Sequence, residues 1–270
     1  MPRIDFSALF DPAEADRERR RLRRAAEEIG FMVVHRTPIT RAEVEHLIET
    51  YRAFFHLPVE EKETVNMART GASRGWGAPR AERVDPTANP DYKEVFDCGF
   101  ELAPDDPLAR LGLPAYAPNQ WPERPAGFRE TVMAYYERAL GVSRRLLGAI
   151  AAAIGERADY FDDKFTRPMA LLRANWYPPR PAWAGAKDFG IAPHTDYGCL
   201  TLLASDGTPG LEVEERDGRW IGVDFAPGEF VVNFGEMLEI WTGGRVRATP
   251  HRVIGSEKER ISVPMFVNPN

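Results

Sequence analysis

Residues 169–177 read MALLRANWY, and the side chains alternate: Leu172, Ala174 and Trp176 fall on one face, Arg173, Asn175 and Tyr177 on the other. A strand with a polar face turned inward implies a wet, liganded interior rather than a solid apolar core. Further short strand-like runs follow at 199–204, 211–214, 220–223, 230–233, 245–254 and 261–267, separated by Gly, Pro and Asp. Many short strands at this spacing point to a closed or sandwiched antiparallel sheet.

Working outward, the part before Pro168 carries the helices. Asp11-Pro12 starts one, with Leu22, Ala25, Ala26 and Ile29 at helical spacing until Gly30 stops it. Its arginines are interspersed with acids, so the polar face reads as solvated and ion-paired. Residues 31–34 form a short apolar strand. Thr40 and Glu43 then make a capping box ahead of Val44, Leu47, Ile48, Tyr51 and Phe55. A long buried helix is expected between Pro125 and Gly155. Between Asn66 and Asn119 the chain is loop-rich, with Gly71, Gly75, Gly77, Pro79, Pro86 and Pro90 among its breakers, and long loops in compact domains are often functional. No repeat or linker divides the chain. The expectation is one domain over 1–270, mainly β with flanking helices: a largely helical part with active-site loops at 1–165 and a β core at 166–270.

The 270 residues carry 35 basic and 41 acidic side chains, a net charge of −6, which disfavours nucleic acid as the main partner. Two cysteines, Cys98 and Cys199, are too few for a disulfide framework or a cysteine-based zinc site. The first residues lack a secretory pattern and no apolar run approaches the ~20 residues of a membrane span, so a cytoplasmic protein is expected.

His35, His46 and His56 have no ligand-type neighbour at useful spacing. His194 does: in Pro193-His194-Thr195-Asp196 the imidazole and carboxylate project to the same side of an extended segment and can reach one ion. His251, in a separate strand-like run, would supply a third ligand. Two histidines and one carboxylate leave open positions on ferrous iron, although zinc hydrolysis uses a similar set, so the triad alone does not fix the metal. Downstream, Arg260 and Ser262 are again an i, i+2 pair, a guanidinium fork beside a hydroxyl, suited to gripping a carboxylate.

These segments, with Gly30-Phe31, Phe54-Phe55-His56-Leu57-Pro58, Asp91-Tyr92-Lys93-Glu94, Asn175-Trp176-Tyr177-Pro178-Pro179, Leu200-Thr201-Leu202-Leu203, Gly210-Leu211-Glu212-Val213, Asn233-Phe234-Gly235-Glu236 and Pro250-His251-Arg252-Val253, span nearly the whole chain in order. The sequence resembles the iron(II)/2-oxoglutarate-dependent oxygenases of the isopenicillin N synthase-like family. The resemblance implies a double-stranded β-helix (jelly-roll) core. It implies Fe(II) on His194, Asp196 and His251, with 2-oxoglutarate as cosubstrate and dioxygen as oxidant. Arg260 and Ser262 would hold the distal carboxylate of 2-oxoglutarate, Tyr177 would assist, and Asn175 would lie near its chelating end. The implied reaction is a dioxygenase oxidation of an unactivated C–H bond, by hydroxylation, desaturation or cyclisation, with release of succinate and carbon dioxide. His35-Arg36-Thr37 departs from the family's Asn-His-Gly, and the chain reaches Asn270 where larger relatives continue into a covering helix. Closure is therefore expected from the 66–119 loops.

The substrate is expected to be a small molecule carrying a carboxylate or another anion, met by Arg173 and Phe266 inside the barrel and by Arg74 and Trp76 from the glycine-rich loop. No nucleic acid or membrane partner is expected, and the oligomeric state is open between monomer and homodimer. Two alternatives stand beside this reading: an iron(II) oxidase of the isopenicillin N synthase type that needs no 2-oxoglutarate, and a non-catalytic metal-binding β-barrel.

Overall fold

The computed structural model describes residues 1–81, 91–180, 182, 184–185 and 188–270. Pro86 and Pro90, expected as loop breakers, lie outside the described residues. Among the described residues, twelve strands and six α-helices are formed. The strands are β1 (Arg3–Asp5), β2 (Phe31–His35), β3 (Gly75–Gly77), β4 (Glu94–Gly99), β5 (Leu171–Tyr177), β6 (Ile191–His194), β7 (Leu200–Ser205), β8 (Leu211–Glu214), β9 (Trp220–Gly222), β10 (Phe230–Phe234), β11 (His251–Val253) and β12 (Arg260–Val267). The helices are α1 (Ala15–Arg24), α2 (Arg41–Phe55), α3 (Val59–Glu63), α4 (Met67–Thr70), α5 (Phe128–Ala153) and α6 (Glu236–Trp241).

Two sheets face each other. The larger runs β1-β2-β10-β7-β12-β5-β4-β3 and the smaller β6-β11-β8-β9. Apart from the parallel β1–β2 pair, the strands of both sheets pair antiparallel. This is the expected jelly-roll core with flanking helices, and strands from the first 165 residues complete its larger sheet.

β5 and β12 show why the larger sheet has a wet face and a dry one. On β12 the odd residues Ile261, Val263, Met265 and Val267 are fully buried in the main core with Leu172 and Ala174 of β5. That core is closed by α5, whose Val132, Tyr136, Ala139, Leu146 and Ile150 are inaccessible to solvent. Each buried aliphatic or aromatic side chain contributes ~1.5–3 kcal/mol, so this face anchors the sheet to the helices. The even residues of β12 and the odd residues of β5 point the other way, into a cavity between the sheets.

Local chemistry sets the entry to β2. α1 continues as a π-helical turn, Ala25–Ile29, and ends at Gly30 with φ 76°. A Cβ there would stand 2.4 Å from Arg247 O and from Thr249 Oγ1, so only glycine fits. The arginines of α1 pair with Glu14, Asp16, Glu18 and Glu27, the expected ion-paired face. The Thr40–Glu43 capping box is formed: Thr40 N donates to Glu43 Oε2 at 2.8 Å and Glu43 N to Thr40 Oγ1 at 3.3 Å.

Three expectations are corrected. The helix expected from Asp11-Pro12 begins at Ala15, and Asp11 instead caps the turn before it, accepting from Ala13 N at 2.9 Å. The loop-rich 66–119 region contains β3 and β4, an edge of the larger sheet. The strand expected over 245–254 is confined to His251–Val253, and it begins directly after Pro250, which has no N–H to give to a ladder.

Candidate metal centre and its cavity

β6 and β11 bring the two histidines together. His194 and His251 are opposed in register, with ring centroids 4.3 Å apart. Asp196 follows two residues after His194, and its Oδ1 lies 3.8 Å from each histidine Nε2. Two ligands each ~2.0–2.2 Å from one ion lie at most about 4.4 Å apart, so a single ion can be held from both of these pairs. Among the described residues this is the one group of three such donors, all within 4.8 Å of one another.

Neighbouring groups set the state of each ligand. His194 Nδ1 faces Ala192 O at 2.8 Å and His251 Nδ1 faces Thr249 O at 3.2 Å. A carbonyl accepts, so the proton sits on Nδ1 and the Nε2 lone pair turns to the centre. Burial, then the adjacent His251, pushes the His194 imidazole down to about 4, which leaves it neutral and ligand-ready near neutral pH. Asp196 Oδ2 accepts from Thr201 Oγ1 at 2.5 Å and Asn233 Nδ2 at 2.7 Å, which turns Oδ1 toward the histidines. Phe31 packs edge-on against His251 at 5.2 Å. The His-x-Asp turn is backed by Gly235, where a Cβ would stand 2.2 Å from Gly198 O and 2.6 Å from Asp196 O.

The cavity has a volume of about 330 Å³. Arg260, Ser262, Tyr177 and Asn175 all line it. They form two cross-strand pairs, Arg260 opposite Tyr177 and Ser262 opposite Asn175. The Arg260 guanidinium lies 5.2 Å from the centroid of the Tyr177 ring, and its Nε donates to Thr208 O at 3.1 Å. Arg260 Nη1 and Asn175 Oδ1 are buried without a hydrogen-bond partner in the protein. A buried donor of this kind calls for an acceptor, and a carboxylate of a keto acid fits Arg260 Nη1, whereas Asn175 Oδ1 needs a donor that a dicarboxylate does not carry.

Arg173 and Phe266 also line the cavity, as their strand parity requires. Arg173, however, is gripped by Asp97, the residue opposite it on β4, with Nε–Oδ1 at 2.8 Å and Nη2–Oδ2 at 2.7 Å. Arg74 and Trp76 are not among the residues that line the cavity. Trp76 is a buried residue of β3 whose Nε1 donates to Glu94 Oε2 at 2.7 Å, and Lys62 meets the same oxygen at 2.7 Å. Arg74 is buried against Gly99 and donates to Ala115 O at 2.7 Å. Once β3 is paired with β4, both side chains are needed to seal the sheet edge.

Thr201, Asn233, Asp97 and Lys93 carry roles that the sequence reading assigned to none of them. Thr201 and Asn233 are opposed in register, each a polar residue within an apolar strand, and that interruption was the available signal. Lys93 lines the cavity with its Nζ 2.7 Å from Asp91 Oδ2, both residues almost fully buried. His46 and His56 are exposed and none of the three remaining histidines approaches the centre.

Residues 168–269 match the 2OG-Fe(II) oxygenase superfamily, and residues 1–124 match the family described as non-haem dioxygenase in morphine synthesis N-terminal. A homoarginine-6-hydroxylase of Arabidopsis thaliana is 32% identical over 287 residues, covering all of this chain and 85% of its own length. The 2-oxoglutarate-Fe(II) type oxidoreductase hxnY of Emericella nidulans is 31% identical over 277 residues, covering all of this chain and 79% of its own. Among solved structures, a full-length Neurospora crassa protein in complex with alpha-KG and thymine superposes with TM-score 0.87 at 28% identity, over all of this chain and 86% of that one. A rice dioxygenase for auxin oxidation superposes with TM-score 0.77 at 29% identity, over 99% of this chain and 83% of that one.

Proposed function

The chain belongs to the 2OG-Fe(II) oxygenase superfamily, and from that membership we propose that it oxidises a small organic molecule at a C–H bond in the cavity between its two sheets. Enzymes of this family use Fe(II), 2-oxoglutarate and dioxygen, and His194, Asp196 and His251 form the metal site. In the proposal Arg260 and Ser262 hold the distal carboxylate of 2-oxoglutarate, Tyr177 stacks beneath the guanidinium, and Asn175 lies toward the chelating end. The observation that carries this reading is the buried, partnerless Arg260 Nη1 in the same cavity as the triad.

When bound, the metal would supply activation of dioxygen, the oxidant, with 2-oxoglutarate as the two-electron reductant that leaves as succinate and carbon dioxide. The chain's own residues then have three tasks. Thr201 and Asn233 hold Asp196 with a single oxygen toward the metal, which keeps positions open. Ala192 O and Thr249 O fix both imidazole tautomers. Leu171, Leu203 and Phe266 exclude water and position the substrate. The helical residues 1–165 and the β-rich 166–270 serve one catalytic unit, a reading supported by β2 and β4 completing the larger sheet. No helix among the described residues is long and apolar enough to cross a membrane. A cytoplasmic setting for the enzyme is supported by two buried free cysteines, and a partner other than nucleic acid by the net charge of −6.

The test is anaerobic addition of Fe(II) and 2-oxoglutarate. A visible charge-transfer band that needs both, followed in air by succinate release, is the expected result. Iron binding without that band would instead favour the oxidase that takes no 2-oxoglutarate.

A further inference from the structure

We propose that Asp206, which does not line the cavity, is a positioning residue for Arg260. Its carboxylate ties the turn between β7 and β8 to the start of β12, and so aims the guanidinium at the distal carboxylate of 2-oxoglutarate. The inference deepens the cosubstrate reading above and rests on it.

An arginine stem is long and flexible, so a guanidinium that meets a carboxylate in a fixed geometry has to be tied elsewhere as well. The tie on Arg260 is the bond from Nε to Thr208 O, at 3.1 Å. It leaves Nη1, buried and without a partner in the protein, for the ligand. Thr208 lies between Gly207, with φ 86°, and Gly210, with φ 147°. Glycine backbone of this kind is permissive, and the shape of the turn has to be imposed by a neighbour. Asp206 imposes it: Oδ1 accepts from Thr208 N at 2.8 Å, an Asx turn.

The same carboxylate reaches β12. Oδ2 accepts from Ile261 N at 2.8 Å, while Asp206 N donates to Ile261 O at 3.1 Å. Ile261 follows Arg260 directly. The two oxygens of one side chain therefore fix both ends of the Arg260 lever, the main chain it springs from and the carbonyl that catches its Nε. Arg52 of α2 steadies the group. Its Nη2 is 3.6 Å from Asp206 Oδ2, and its Nε donates at 2.8 Å to Oε1 of Glu259, on the other flank of Arg260. The Asp206 side chain is 8% exposed, so water competes little for these bonds. Gly210 completes the fit, since a Cβ there would stand 3.5 Å from Arg260 Cδ and 2.7 Å from Ile254 O. An aspartate that merely capped the turn would need Thr208 N alone. The second oxygen on β12 is what links the turn to the cosubstrate residue.

The test is a double-mutant cycle on the dissociation constant of 2-oxoglutarate, read by titrating the charge-transfer band of the anaerobic Fe(II) protein. Asp206→Ala is expected to raise that constant about tenfold, while iron affinity stays as in the unmodified protein. In an Arg260→Lys background there is no Nε to aim, and the same change is expected to cost less than about twofold. Asp206→Asn keeps an acceptor for Thr208 N and loses the one for Ile261 N. It is expected to give a smaller rise that also vanishes with Arg260→Lys, and it keeps the cycle measurable should the alanine variant not fold. Any loss of Tm is expected to be equal in the two backgrounds. An unmoved constant, or an equal rise with and without Arg260→Lys, overturns the inference and leaves Asp206 as a turn residue only. Absence of the band in the unmodified protein overturns the cosubstrate reading itself, and this inference with it.

Discussion

His194 and His251 stand directly opposite each other on β6 and β11, each with Nδ1 on a main-chain carbonyl two residues upstream in its own chain. The metal centre is thus built from one cross-strand pair plus the carboxylate that follows it, and its tautomers are fixed by backbone rather than by side chains. A single substitution cannot be compensated by a neighbour, which makes the centre easy to test.

Replacement of either histidine, His194→Ala or His251→Ala, is expected to abolish turnover and to lower bound iron well below one per chain. Metal content after dialysis and succinate release are the two measurements. Full activity in either variant with iron as the added metal would be incompatible with the triad.

Asn233→Leu and Thr201→Val each remove one donor to Asp196 Oδ2 without touching a ligand. Losses of this kind weaken metal affinity by ~10–100-fold. Iron titration should show the loss while the folded-state circular dichroism is retained, and an unchanged affinity would mean that the carboxylate needs no orienting partner.

Arg260→Lys keeps the charge and loses the fork. The unmade charge-assisted bond corresponds to ~1–3 kcal/mol, or about 5- to 150-fold in the apparent 2-oxoglutarate requirement. The substrate requirement should move far less. Equal changes in both would assign Arg260 to the substrate.

Burial pushes the Cys199 thiol up to about 12 and the Cys98 thiol higher still. The reactive thiolate is therefore almost absent in the folded protein up to pH 9. A chromogenic disulfide reagent should label neither cysteine in the native state between pH 7 and about 9, and both after denaturation. Rapid native labelling would show that the β4 or β7 end opens.

Burial raises the Glu259 carboxyl, but donors from His56, Trp176 and Arg52 outweigh it and hold the group below its usual range. A carboxylate lowered in this way stabilises the fold above its unfolded value of ~4.3, and that contribution disappears as the pH falls through the lower folded value. Glu259→Gln should therefore reduce Tm at pH 7 and make the loss of Tm on acidification shallower below about pH 5. Parallel Tm curves for both proteins would exclude the linkage.

The β-rich half was legible in the sequence because its strands alternate cleanly: the parity of Arg173, Asn175 and Tyr177, and of Arg260, Ser262 and Phe266, placed all six on the cavity side. β4 was not legible. Nothing in the local sequence marks its Glu94 and Asp97 as interior, yet Glu94 is buried under Lys62 and Trp76 while Asp97 is buried against Arg173. Such strands are specified by partners distant in sequence, and no local period reveals them. The same holds for Arg173, whose parity is local while its partner on β4 is not, and for Trp76, which stands in a glycine-rich stretch yet seals a sheet edge through Glu94.

The two histidine ligands belong to the smaller sheet, and the residues proposed to anchor the cosubstrate belong to the larger one. A dicarboxylate reaching from the metal to Arg260 must therefore span the gap between two packed layers, which stand ~10 Å apart in such sandwiches. That gap is a ruler. It is set by the whole of the interdigitated core and not by any one side chain, so discrimination between a five-carbon keto acid and its four- or six-carbon homologues is a property of the scaffold, harder to relax by point substitution than the choice of substrate is.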